Sequence, residues 1–312
     1  MGSPPACSVV IPTYNRMELL GRTLDSLTKQ DIGTDSFEVL VVDDGSADDT
    51  ATMVAQFHDR LRLHYFYQPD RGFRAAAARN VGLAHASGEI TVFVDSGVLL
   101  DSGCLRAHLL SHDADELAAV VGSVYCFNLD NEDADAMLRA LDFDDVDGTI
   151  ARLRRECRWL DAREEFYANE PSQLRDLPAP WLYYWTCNVS ARTGQVRDVG
   201  GFDEVFRTWG SEDIDLGYRL HRDGAVFVLN REASALHHPH HKDFPGKQEI
   251  ARRNLRYIAA KYDTPITRLL AAEPPIAFDD INRIILQRGL PSCADHRRDA
   301  VQAAQRRGTL LR

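Results

Sequence analysis

Short apolar runs alternate with amphipathic stretches over the first hundred residues, and this alternation restricts the chain to one broad architecture. Cys7-Ser8-Val9-Val10-Ile11 is rich in β-branched residues, stops at Pro12-Thr13-Tyr14-Asn15-Arg16, and is followed by a helical pattern over about 18–29. A second run, from Phe37 to Val42, stops at Asp43-Asp44-Gly45-Ser46 and leads into a helical segment reaching Phe57. A strand over 61–67, a helix over 74–86 and a strand over 90–94, ending at Asp95-Ser96-Gly97, complete a β-α-β-α-β-α-β series. Runs this apolar suit a parallel sheet covered on both faces. The polar turns after the first, second and fourth runs then fall at carboxyl ends of strands, where open α/β sheets bind ligands.

A second cluster lies at Trp209-Gly210-Ser211-Glu212-Asp213-Ile214-Asp215. Ser211 reads as the N-cap of a helix whose acidic first turn complements the macrodipole and whose apolar positions include Ile214, Leu216 and Leu220. Glu212 and Asp213 would then point out of the helix mouth, where a carboxylate can serve as a base. Ordinary acidic capping of a surface helix suits the same residues.

Taken together, Pro12-Thr13-Tyr14-Asn15, Val42-Asp43-Asp44-Gly45-Ser46, Arg79-Asn80-Val81-Gly82 with Gly88-Glu89, Asp95-Ser96-Gly97, Gly200-Gly201-Phe202-Asp203-Glu204 and Glu212-Asp213 form an ordered set. In that order and spacing the chain resembles family 2 glycosyltransferases of the GT-A fold, the nucleotide-sugar-dependent and usually inverting class, from Ser8 to about His241. The segment from Gly200 to Leu220 is also similar to the acceptor-side region of galactosyl- and N-acetylgalactosaminyltransferases, where Gly-Gly-Phe-Asp precedes a Trp-Gly…Glu-Asp motif. The implied fold is α/β, a nucleotide-binding half with a mostly parallel sheet and helices on both faces, joined to an acceptor-side half.

The resemblance implies a division of labour. Backbone around Pro12 and Thr13, the Tyr14 ring and the Asp44 carboxylate hold the nucleobase. A carboxylate accepting from uracil N3–H makes UDP the first choice and dTDP the second, since thymine shows the same edge. Arg74 and Arg79 stand where diphosphate contacts are expected, with Arg79 equally suited to pairing with surface carboxylates, and Asp95 and Ser96 complete the donor side. Asp213 is the expected general base, and Glu212 binds the acceptor or raises the basicity of Asp213 by like-charge coupling. Trp209 and Trp185 are candidate sugar contacts, although packing in the core suits both.

One position departs from the family. Its fourth strand normally ends in Asp-x-Asp, whose last carboxylate holds Mn²⁺ or Mg²⁺ on the diphosphate, and here Gly97 occupies that place. Three readings follow: a metal held by Asp95 with His238 or His240 and the diphosphate; a leaving group neutralised by Arg and His without metal; or a nucleotide-sugar-binding module of little activity. Donor consumption by the purified protein separates the last from the others.

Composition sets outer limits. A chain of 312 residues that is 44% hydrophobic is long enough for a large domain with a substantial core. Six cysteines without short paired spacings suggest a reducing, cytoplasmic setting and no zinc site. No apolar stretch approaches the roughly 20 residues that span a bilayer, and no signal-like start is present, so a soluble protein is expected. A net charge of −11 argues against nucleic-acid or anionic-membrane partners and weakly favours a neutral or cationic small acceptor, such as an amino sugar or aminocyclitol. A nicotinamide dehydrogenase lacks its Gly-x-Gly-x-x-Gly here, and a sugar-1-phosphate nucleotidyltransferase its glycine-rich basic loop. The expected organisation is a donor half over 1–111, a charged, mostly helical insertion over 112–180, an acceptor half over 181–245 and a helical extension over 246–312 with a basic end from 297.

Overall fold

The computed structural model describes residues 4–114, 117–127, 133–169, 173–240 and 246–292, so His241, the acidic residues 130–132 and the basic end from 297 lie outside the description. The donor half runs β1 (Cys7–Thr13), α1 (Met17–Leu27), β2 (Phe37–Asp43), α2 (Thr50–Ala55), β3 (Leu63–Tyr67), α3 (Ala75–His85) and β4 (Ile90–Val94). Then come β5 (Val98–Leu100), α4 (Cys104–Ala114), β6 (Ala118–Tyr125), α5 (Ala134–Ala140), α6 (Val146–Glu156) and α7 (Glu164–Asn169). The acceptor half follows as β7 (Asn188–Arg192), α8 (Thr193–Asp198), α9 (Glu212–Asp223) and β8 (Val226–His237), and the chain continues through α10 (Lys247–Tyr262) and α11 (Phe278–Arg288).

The strands form one sheet in the order β3-β2-β1-β4-β7-β6-β8-β5. β1 is parallel to both neighbours, with Val9 opposite Val39 of β2 and Val92 of β4. The pleat sends Val9, Ile11, Val39 and Val41 to one face and Val10 and Leu40 to the other, so the two faces seed separate cores. Leu20, Leu24 and Leu27 of α1 close the first core from a single stripe, each burial contributing about 1.5–3 kcal/mol. On the second face α3 presses close, because Gly82 has no Cβ: one placed there would come within 2.5 Å of Val10 Cγ1.

The expected mostly parallel sheet of the first half is present in β3-β2-β1-β4, and β7, antiparallel to both β4 and β6, joins it to the parallel pair β6 and β8. One expectation is corrected. The tract expected to be helix and loop contains β6, an entirely buried strand parallel to β8 and antiparallel to β7. Its flanking charges disguised it. Helices α5 and α6 then cover a small third core of Leu99, Tyr125, Met137, Ile150, Leu153 and Leu236. Arg163, buried, pins the end of this insertion to the sheet by pairing with Asp161 (2.6 Å) and donating to the carbonyls of Gly122 (2.6 Å) and Tyr183 (3.0 Å).

Candidate active site

The donor side is assembled from three strand-end turns that hold one another. Asp43 folds its own turn, accepting from Gly45 N–H (3.0 Å), Ser46 N–H (2.7 Å) and the Tyr65 hydroxyl (2.6 Å). Asp44 reaches sideways and accepts from Gln68 Nε2 (2.6 Å), Arg74 N–H (2.9 Å) and Arg74 Nη2 (2.7 Å). Gly45 has φ +97°, and a Cβ there would fall 2.3 Å from Asp70 N, so the two turns touch backbone to backbone. Tyr14, 45% exposed, donates to Asp70 Oδ2 (2.9 Å) and presents its ring at the rim. Thr13 accepts Asp44 N–H through its carbonyl (2.8 Å), and Ser96 Oγ donates to the Pro12 carbonyl (2.7 Å). The first turn of α1 is capped from a neighbouring turn: Asp48 Oδ2 accepts Met17 N–H at 3.1 Å.

The carboxylates of the acceptor side arrive by a different route. Gly210 (φ +91°) and Ser211 (φ +78°) turn the chain sharply into α9. Ser211 occupies the N-cap position but makes no side-chain capping bond, which corrects the expectation drawn from its identity; a left-handed backbone replaces the extended one from which a serine usually caps. Asn254 of α10 grips this turn instead, donating to the carbonyls of Gly210 (2.8 Å) and Trp209 (3.3 Å). Asp215, fully buried, roots the helix by taking Arg219 (2.8 Å), Lys261 (2.7 Å) and the Tyr262 hydroxyl (2.7 Å).

Glu212 does not point out of the helix mouth. It is 6% exposed, with Oε1 on Arg79 Nη1 at 2.8 Å and Oε2 buried without a hydrogen-bond partner. Arg79, 4% exposed, sends its other nitrogen to Asp95 Oδ1 at 2.8 Å, so one guanidinium joins the loop after β4 to the first turn of α9. Asp213, partly buried beside Glu212, has its proton affinity pushed up to about 7 by burial first and by the Glu212 charge second; Arg79 and the N–H groups of Ile214 and Thr186 oppose the rise.

The remaining expected residues divide. Trp185 donates Nε1–H to the Leu182 carbonyl (3.0 Å) under the Arg163 guanidinium, while Trp181, Tyr183 and Tyr184 of the same aromatic run are core. Trp209, partly buried, sits on the turn that leads into α9. His238 is drawn to the donor loop by its backbone, N–H to the Gly97 carbonyl at 2.8 Å, but its ring stacks on Phe143 with centroids 4.2 Å apart. His240 lies against His237, ring centroids 5.1 Å apart. Among the described residues no three His, Cys, Asp or Glu side chains are grouped to hold a metal ion. Asp95, His238 and His240 therefore do not fit a preformed metal site: one Asp95 oxygen is committed to Arg79, and the His238 ring lies on Phe143.

Sequence reasoning left out Arg16, which lies at the end of β1 within electrostatic reach of Asp95 and whose hold on its proton is lowered by burial. It also left out Asp215 and Asn254. For Asp215 only the i,i+4 pairing with Arg219 is local; its α10 partners, and the Gly210 partner of Asn254, lie 44 or more positions away.

Comparison with known proteins matches this architecture. The family description "glycosyl transferase family 2" fits residues 8–164, and that of the "N-terminal domain of galactosyltransferase" fits residues 172–242. Validoxylamine A glucosyltransferase of Streptomyces hygroscopicus subsp. jinggangensis is 39% identical over 239 residues, which are 76% of this chain and 56% of that one. The chain thus spans about half the length of its validoxylamine-related relatives. The uncharacterized glycosyltransferase YfnE of Bacillus subtilis is 29% identical, with coverage of 89% and 76%. The structure of Staphylococcus aureus TarS 1-349 in complex with UDP-GlcNAc superposes with a TM-score of 0.56 at 20% identity, covering 86% of this chain and 70% of that one; this likeness speaks to the GT-A fold alone. Among the described residues no helix is long and apolar enough to cross a membrane.

Proposed function

Because the chain belongs to glycosyltransferase family 2, we propose that its cleft moves a sugar from a nucleoside diphosphate donor to a hydroxyl of a small acceptor, with UDP the first choice of nucleotide and dTDP the second. The observation that carries this reading is the meeting, on Arg79, of the strand-end loop at Asp95 with the Glu212-Asp213 pair. Donor and acceptor elements from distant parts of the chain share one buried cation.

In this reading the nucleobase lies against Tyr14, and its N3–H donates to Asp44 in place of one donor that Asp44 now takes from Gln68 or Arg74. Asp213 removes the acceptor proton. A carboxyl whose proton affinity lies at about 7 is half ionised at neutral pH and basic enough to accept a hydroxyl proton as the anomeric carbon gains positive charge. One base facing the departing diphosphate gives a single displacement with inversion, and no enzyme nucleophile is needed. A divalent cation would come in on the donor, whose diphosphate oxygens are hard ligands, because Asp95, His238 and His240 are not gathered to hold one by themselves. The acceptor class best supported is an aminocyclitol or amino sugar: the chain carries a net charge of −11, and one relative is named for glucosyl transfer to validoxylamine A.

Purified protein incubated with UDP-glucose, UDP-galactose, UDP-N-acetylglucosamine or dTDP-glucose, each with validoxylamine A and a panel of amino sugars, is expected to release the nucleotide and yield a glycosylated product by mass spectrometry. Nucleotide binding without donor consumption in every combination would defeat this reading and favour a binding module, the alternative that Gly97 raises.

A further inference from the structure

Arg79 suited a diphosphate contact and a pairing with carboxylates equally, and in the structure both of its terminal nitrogens are spent on protein carboxylates while its Nε is buried without a partner. Its guanidinium lies 5.4 Å from the Phe202 ring. The next residue, Asn80, clamps the Phe202 backbone from both sides, donating to its carbonyl at 2.8 Å and accepting its N–H at 2.7 Å. One turn of α3 further on, Gly82 seats the helix on β1. A guanidinium fixed this way cannot follow a ligand. The start of α9, by contrast, lacks a side-chain cap and passes through two left-handed residues. Its first turn is located by Asn254 on one side and by Arg79 on the other.

We infer that Arg79 is a positioning residue that ties the base to the donor loop: by holding Asp95 and Glu212 on opposite nitrogens, it fixes the spacing between the diphosphate side and Asp213 without itself binding the donor. This rests on the reading of Asp213 as the base. The physical warrant is the sensitivity of transfer to alignment, since a displacement of about 1 Å in a reacting group lowers rates by about 10²-fold. Loss of the cation would leave Glu212 buried and unpaired directly beside Asp213, and the first turn of α9 would rearrange to relieve it.

The test compares Arg79→Met, Arg79→Lys and Asp213→Asn by UDP calorimetry and steady-state kinetics with a UDP-sugar. Arg79→Met is expected to lower kcat by about 10²-fold while UDP affinity stays within about threefold, and Arg79→Lys is expected to recover about tenfold of that loss by restoring the charge to one partner at a time. A tenfold or greater loss of UDP affinity at near-parental kcat would overturn the inference and make Arg79 a direct diphosphate contact; unchanged kcat and affinity would overturn it as well. Should Arg79→Met fail to fold, Arg79→Lys decides alone by the same split. Near-parental turnover in Asp213→Asn would remove the base reading and this inference with it. Loss of turnover in Asp213→Asn together with full turnover in Arg79→Met would remove this inference alone.

Discussion

The donor half and the acceptor half each bring a key carboxylate to the cleft, and they surround it in opposite ways. Asp44 receives three hydrogen bonds from side chains and backbone no more than 30 positions away, all of them from neighbouring strand-end turns. Among the described residues Asp213 receives backbone N–H groups, from Ile214 and Thr186, and shares its space with Glu212, whose own partner is 133 positions distant. The first arrangement presents a fixed acceptor for recognition. The second keeps a carboxylate poorly compensated, so that it gains by taking a proton. In the function proposed, two groups of one chemical type take separate tasks from the number of donors around them, as in other sites where paired carboxylates are driven apart by environment.

Removing the base breaks this comparison hardest. Asp213→Asn is expected to lower turnover by about 10²–10⁴-fold with UDP affinity within a few-fold of the parent. Titration of UDP alongside stopped assays checks both halves of that statement, and near-normal turnover would strip Asp213 of its task.

The pH profile sharpens it. Asp213 acts only when ionised, so kcat/KM is expected to fall about tenfold per unit as pH drops below about 7. The same shift carries a stability consequence of definite sign. Folding raises this group's proton affinity above its ordinary value of 3.8, so its contribution to stability is fully present below pH 3.8 and is lost as pH rises through about 7. Asp213→Asn should therefore melt higher than the parent at pH 8, with the difference shrinking toward pH 4, as melting curves at the two ends would register. A lower melting temperature at pH 8 would contradict the poorly compensated setting described for Asp213.

On the donor side the effect is smaller. Asp44→Ala is expected to weaken UDP binding by about 1.5–3 kcal/mol, the scale of a hydrogen bond to a charged group, without changing the pH at which kcat/KM begins to fall. Equal calorimetric affinities for variant and parent would mean that the nucleobase lies elsewhere.

The smallest effect is expected at Gly97. A Cβ there would meet only Leu19 at an ordinary 3.5 Å, but φ of +95° strains any L side chain. Gly97→Asp should lose about 1–3 kcal/mol of stability and in return bind Mn²⁺ a few-fold more tightly in the presence of UDP, by giving the diphosphate chelate a second protein carboxylate. Unchanged Mn²⁺ affinity would place the diphosphate away from this loop.

The two halves also differed in how far they could be read in advance. Strands β1, β2 and β4 announce themselves as β-branched runs, and the turns that follow them carry most of the expected donor residues. Helix α9 was legible from its acidic first turn. What supports that helix was not: Asn254 replaces the expected Ser211 cap, and Arg79 looks like any helical arginine until Asp95 and Glu212 are seen on either side of it. β6 was hidden because its apolar run lies within charged sequence, and Trp181, Tyr183 and Tyr184 of the aromatic run are core, since sequence gives aromatic content but not the face it presents.

The acidic first turn of α9 has one more consequence, for how this chain can change length. Glu212, Asp213 and Asp215 look in three directions because each residue advances about 100° around the helix axis. Glu212 meets the buried guanidinium, Asp213 the N–H groups of Ile214 and Thr186, and Asp215 the α10 anchor. Insertion or deletion of a single residue between Glu212 and Asp215 would turn Glu212 by about 100° relative to the Asp215 anchor and part it from Arg79. Surface turns ordinarily absorb such changes with ease. This one is held at both ends, by Asn254 at Gly210 and by the α10 partners of Asp215, so its length sets which carboxylate meets the Arg79 guanidinium.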